Sequence, residues 1–169
     1  MIKNIRQQLT LFVAEDDAKE IEAIRKRYNL LQSELINSHV TLCREDEIKN
    51  IDKVLENLNI LDQKEISIHF GQVIRFNNDK GVLMSATNET HQFHLLREKI
   101  LKGVEANIRQ HEPHITLMHP RNSTCTDRIF DIIKKANLPT RLNFDTISLI
   151  EQVDGGQWRT ILKFNLKPI

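Results

Sequence analysis

Cysteine is almost missing from this 169-residue chain: Cys43 and Cys125 are the only two. Too few thiols for a disulfide framework point to a reducing, cytoplasmic setting. Aromatic residues are scarce at 5%, comprising Trp158, Tyr28 and seven phenylalanines, which disfavours a long RNA tract read by stacking. An excess of either charge is missing as well. Lysine and arginine total 24 against 23 acidic residues, and the net charge is +1. No general attraction to nucleic acid follows, so any basic surface must be local. No apolar run approaches a membrane span, and nothing ahead of the first strand reads as a signal peptide. A dense metal motif such as His-Glu-x-x-His is absent too. His91 and His94 lie three apart, and His111 lies near His114, but neither spacing makes a ligand set, so no metal and no cofactor are expected.

What is present is a core's worth of apolar residues, 40% of the chain, enough for one domain. Within it, one short pattern occurs twice. His39-Val40-Thr41-Leu42 and His114-Ile115-Thr116-Leu117 lie 75 positions apart. On a β-strand alternate side chains share a face. Each histidine and its threonine would then face one groove, with Val40, Leu42, Ile115 and Leu117 turned into the core.

The surrounding elements repeat at about the same offset. The stretch 6–13 alternates as a strand. Ala18, Ile21, Ile24 and Tyr28 recur at helical spacing. A motif strand follows, then a helix marked by Ile48, Ile51, Leu55 and Leu58. A strand over 65–76 places Ile66, Ile68, Phe70, Ile74 and Phe76 on one face, and 77–81 has turn chemistry. The series restarts with a strand at 81–86. A helix capped by Asn88 carries Phe93, Leu96, Ile100 and Val104. After the second motif strand, Thr126 or Asp127 opens a helix through Ile129, Ile132, Ile133 and Ala136. A strand spans 143–151, Asp154-Gly155-Gly156 marks a hairpin, and 158–166 closes the chain with Trp158, Thr160, Leu162, Phe164 and Leu166 on one face. The expectation is a single domain over 1–169 with pseudo-repeats at about 6–76 and 81–151 and a closing strand at 158–166. The fold class is α+β: two lobes of mainly antiparallel sheet, outer helices, and a cleft between them.

Two such motifs in a chain of this length and element order resemble the 2H phosphoesterase superfamily, which includes 2′-5′ RNA ligase-like proteins and cyclic phosphodiesterases. The resemblance implies a bilobal 2H phosphoesterase fold and metal-independent chemistry on 2′,3′-cyclic or 2′-5′ phosphodiesters. It carries His39 and His114 over as catalytic residues and Thr41 and Thr116 as substrate contacts. RNA-ligase-like relatives often have an arginine just after the second motif. Here that position holds His119, with Arg121 two further on, and both are candidate substrate contacts.

The chemistry independently suits these residue types. Opening a cyclic phosphodiester needs a base for water and an acid for the departing ribose oxygen. Imidazole, with an ordinary pKa near 6.5, supplies either role near neutrality. Threonine hydroxyls can donate to the non-bridging oxygens. The leading reading is a cyclic phosphodiesterase acting on RNA ends or small nucleotides as a monomer. The alternatives are a 2′-5′ ligase or 2′-5′ oligonucleotide phosphodiesterase, and a nucleotide-binding module with little turnover. Outside the motifs, Cys43 reads as a small buried residue, Arg44 as surface charge, His69 as a sheet-face histidine that could reach the cleft wall, and Lys134-Lys135 as the solvated side of a helix.

Overall fold

The computed structural model describes residues 1–87 and 89–169. Asn88, the expected helix cap, lies outside the described residues. In chain order the elements are β1 (Ile5–Phe12), α1 (Lys19–Tyr28), α2 (Leu30–Leu35), β2 (His39–Cys43), a single 3-10 turn (Glu45–Glu47), α3 (Ile51–Asn59), β3 (Ile66–Phe76), β4 (Gly81–Ala86), α4 (His91–Leu101), β5 (His114–Met118), α5 (Asp127–Lys134), β6 (Arg141–Phe144), β7 (Thr146–Val153) and β8 (Arg159–Asn165). Among the described residues no helix is long and apolar enough to cross a membrane.

The strands form one antiparallel order, β6-β3-β4-β5-β2-β1-β7-β8. The two sheets expected from sequence are two four-stranded halves of this order, joined where β2 meets β5 at the single pair Val40–Ile115. The grouping in space cuts across the sequence stretches. β3 belongs to the first stretch yet pairs with β4, because Asn77, Asn78 and Asp79 take positive φ angles of 52°, 55° and 62° and fold the two strands into a hairpin. Asparagine and aspartate tolerate that left-handed backbone best after glycine. β7, from the second stretch, pairs in turn with β1.

A second connection ties the halves at the far corner. Asp145 alone separates β6 in one half from β7 in the other, and its carbonyl accepts from Leu166 N at 2.7 Å. The segment after β8 then returns to the start of β3. Lys64 and Lys167 form a parallel bridge, with Glu65 N donating to Lys167 O at 2.8 Å and Lys167 N to Gln63 O at 2.9 Å.

Val40, Leu42, Ile115 and Leu117 are fully buried, as the alternation requires. α1 packs on β5 and α4 on β2 and β3, and together they supply Ile21, Phe93, Leu96 and Ile100 to that layer. Each such side chain stabilises the fold by about 1.5–3 kcal/mol on burial. The motif strands are thereby held by the core from below while their other face stays accessible.

Four local expectations change. The helix expected through Tyr28 ends there, but a second helix, α2, that the spacing did not show follows it after a break at Asn29, whose φ of −149° and ψ of 57° leave the helical region. In β3 a bulge between Phe70 and Gln72 reverses the alternation. Ile66, Ile68 and Phe70 are buried as expected, but Ile74 is exposed beyond the bulge. The strand expected over 143–151 is β6 and β7, parted at Asp145. β8 is an edge strand, and Leu162, expected on a shared apolar face, is 44% exposed.

Candidate active site

His39 and Thr41 stand on β2, and His114 and Thr116 on β5, all partly exposed between buried neighbours. With Val40 opposite Ile115, the antiparallel register sets His39 opposite Thr116 and Thr41 opposite His114. The four thus form a quadrilateral with like residues on the diagonals. Opposed Cβ atoms in such a pair are about 4.5–5.5 Å apart and diagonal ones about 7–8 Å. Two imidazoles at that diagonal spacing leave room between their outer nitrogens for one phosphoryl group.

Both rings are held in the same way. His39 Nδ1 lies 2.8 Å from Asn37 O, and His114 Nδ1 lies 3.2 Å from Glu112 O, each two residues upstream. A carbonyl only accepts, so Nδ1 carries the proton in both rings and the neutral form presents a bare Nε2. Burial drives the His39 pKa down to about 4, with further lowering from Arg25 and from His114. The His114 pKa is also lowered, first by burial and then by Arg44. Both shifts favour the neutral imidazoles at pH 7. The ring of Phe12 meets that of His39 edge-on, with centroids 6.1 Å apart.

Two buried ion pairs fix the backbone around β2. Arg25 donates to Glu22 at 2.8 Å and to Ile36 O at 2.7 Å, while Glu22 accepts from Ser38 N at 2.6 Å. That clamp sets the turn just ahead of His39. At the other end of β2, Arg97 from α4 donates to Leu42 O at 2.5 Å, to Glu47 at 2.5 Å and to Arg109 O at 2.8 Å. The His111 ring donates from Nε2 to Thr41 O at 3.3 Å and packs edge-on against Phe93. In register, Pro113 would continue β5 opposite Leu42, but proline has no N–H to offer. Side chains of His111 and Arg97 supply the donors that the backbone there cannot.

A cavity of about 630 Å³ lies against this face. It is lined by Thr41, His114, His119 and Arg121 among the expected residues, together with Arg44, Lys49 and His111. His39 and Thr116, at the opposite side of the quadrilateral, are not among its lining residues. Arg6 and Glu45 pair at 2.9 Å on the rim, and Asp46 pairs with Arg109 at 3.0 Å. The hydrogen bond and charge of Arg109 lower the Asp46 pKa.

His119 and Arg121 are placed by Asn29, the residue that breaks the first helix. Asn29 Oδ1 accepts from His119 N at 2.7 Å, and Asn29 Nδ2 donates to Asn122 Oδ1 at 2.7 Å. Arg121 N donates to His119 Nδ1 at 3.1 Å. The neutral His119 ring must then carry its proton on Nε2, the reverse of the two motif histidines. Burial, followed by the charge of Arg121, lowers its pKa and keeps it in that donor form.

Sequence reasoning missed Arg44 and Lys49 as wall residues and Arg25 and Arg97 as clamps. Adjacency to the first motif was the only signal for Arg44; an arginine inside an amphipathic helix gives none for the clamps. Cys43 is fully buried and burial pushes its thiol up to about 12, which suits a small inert core residue. His69 sits apart, in a different cavity with Ser67 and Arg141, 3.9 Å from Glu89. His94 Nε2 approaches Glu112 Oε1 at 3.4 Å, and Thr90 Oγ1 donates to Glu112 Oε2 at 3.0 Å, which steadies the residue whose carbonyl holds His114. No group of three metal-type side chains gathers among the described residues. Lys134 lies 4.8 Å over the Phe130 ring.

The family model for the 2′-5′ RNA ligase superfamily matches residues 13–156, a span that includes both motifs. This chain belongs to the 2′-5′ RNA ligase superfamily. Among curated proteins there is no significant match. Solved structures share the fold at low identity. LigT of E. coli in apo form is 14% identical with a TM-score of 0.68, covering 99% of both chains. The protein TT0787 of Thermus thermophilus is 17% identical with a TM-score of 0.64, covering 96% of this chain and 98% of its own. LigT complexed with 3′-AMP is 11% identical with a TM-score of 0.65, covering 96% and 98% respectively. Superfamily membership places the chain among 2H phosphoesterases, and its curled antiparallel sheet matches the LigT-like fold.

Proposed function

We propose that the protein hydrolyses 2′,3′-cyclic phosphates of RNA ends or small nucleotides without a metal, with His39 and His114 as the catalytic pair. The observation that carries this reading is the diagonal placement of two imidazoles, both tethered through Nδ1 and both presenting Nε2. The neutral ring takes a proton from water as its oxygen attacks phosphorus. The protonated ring gives a proton to the ribose oxygen as its bond to phosphorus breaks, leaving a phosphate monoester. His39, with its pKa at about 4, suits the base. Thr41 and Thr116 donate to the non-bridging oxygens, with His119 Nε2–H and the Arg121 guanidinium on the cavity side. The complex of LigT with 3′-AMP, a monoester of the product type, supports the substrate class. The same pair run in reverse would join a cyclic phosphate to a ribose hydroxyl, which the superfamily's description favours as the second reading.

The test is turnover of 2′,3′-cyclic nucleotides in EDTA by wild type and variants. His39→Ala and His114→Ala are each expected to lose roughly 10²–10⁴-fold in kcat. The double variant should lose much less than the product of the two, because the pair acts as a unit. Thr41→Val and Thr116→Val should lose less than either histidine. A His39→Ala enzyme with near wild-type kcat overturns the reading, as does activity that EDTA abolishes and one divalent ion restores.

A further inference from the structure

A second cavity, of about 360 Å³, opens on the other side of His39, and nothing in the phosphoryl chemistry uses it. Phe12 and Asn37, two residues that touch His39 directly, are part of its wall. Trp158 forms another part, its backbone N–H fixed to Leu35 O at 2.9 Å and its ring covered by the Arg6 guanidinium at 5.4 Å. The remaining wall is mixed: Val13, Leu35 and Ile36 are apolar, while Gln157, Asp145 and Thr160 carry amide, carboxylate and hydroxyl groups. Phe12 pairs with His39 across β1 and β2, so both project from the same face of the sheet. A chain with so few aromatics sets two of them in one cavity, one of them packed against a motif histidine, together with hydrogen-bond donors and acceptors.

We infer that this cavity is a nucleobase subsite, holding the base of the nucleotide whose phosphate lies between His39 and His114. The inference rests on the phosphoesterase reading and adds where the nucleoside goes. The geometry divides the substrate. The cation-lined cavity beside His114 takes the charged phosphodiester, and the aromatic cavity beside His39 takes the flat, hydrogen-bonding base. Stacking on aromatic rings tolerates any base, while the amides and carboxylate read its edge.

Trp158 is the only tryptophan, so all tryptophan emission comes from the wall of this cavity. Titration with adenosine 3′-phosphate is expected to change Trp158 emission saturably, and inorganic phosphate at the same concentrations is expected to leave it constant. In kinetics, two substrates are compared: adenosine 2′,3′-cyclic phosphate and methyl riboside 2,3-cyclic phosphate, which lacks a base. Trp158→Leu, and separately Thr160→Trp to fill the cavity, should lower the ratio of their kcat/KM values by roughly 5- to 100-fold. Equal losses on both substrates, or saturable nucleotide binding with no change in Trp158 emission, overturn the base subsite. Failure of wild type to turn over either substrate overturns the phosphoesterase reading instead, and a saturable emission change would then still support the base subsite.

Discussion

At the residue scale, a hydrogen bond two residues long decides what each motif histidine can do. By holding Nδ1–H, Asn37 O and Glu112 O commit both rings to one tautomer. The same burial that orients the rings lowers their pKa values, His39 to about 4 and His114 below its ordinary 6.5. The sign of the consequence follows directly. Acid–base turnover needs one ring protonated and one neutral, and in the free enzyme that state is populated between the two apparent values of the pair. Both lie below 6.5, so kcat/KM for a cyclic nucleotide should peak on the acid side of 6.5 and fall on both flanks. A bound phosphodiester anion between the rings favours the protonated form, so the kcat profile should be displaced to higher pH than the kcat/KM profile. Steady-state kinetics from pH 4 to 9 would check this. A kcat/KM maximum above pH 7 would contradict it.

At the element scale, the site depends on how β2 and β5 meet. Their backbones pair at only one position, and the next donors come from His111 and Arg97. Arg97 is almost wholly buried against an equally buried Glu47. Arg97→Ala would strand that carboxylate and two carbonyls, and about 3–5 kcal/mol of stability should be lost, measurable by urea denaturation. Arg97→Lys should recover only part of it, lacking the fork that reaches Leu42, Glu47 and Arg109 together. None of this was legible in the sequence, where Arg97 reads as the polar side of an amphipathic helix. The motif strands were legible, because a repeated His-x-Thr-x with apolar partners fixes both period and facing. Ile74 shows where period alone fails: a bulge at Gly71 reverses the alternation, and a glycine inside the strand pattern was the one local signal for it. Arg121 was reachable by proximity to the motif, but its placement by Asn29 depends on a long-range contact between the first helix break and a loop some 90 residues on.

At the scale of the whole molecule, one half of the sheet takes β1, β2, β7 and β8 from the two ends of the chain and the other takes β3 to β6 from its middle, so the first half cannot form until both ends have come together around the second. Thermal or urea unfolding is expected as one transition, with far-ultraviolet circular dichroism and Trp158 fluorescence coinciding. Two separated midpoints would show independent halves. The connection at Asp145 and the bridge from Lys64 to Lys167 join the halves a second time, far from the Val40–Ile115 seam. Two halves pinned at separated points can turn only about the line that joins the pins. Opening the groove about the Val40–Ile115 seam alone would have to tear backbone bonds at the far corner. Traffic into the site is then left to movements of ångström size, in arginine and lysine side chains and in the short loops at 119–123 and 154–158. The spacing of the two imidazoles is then set by the backbone framework, and it is expected to change little when substrate binds.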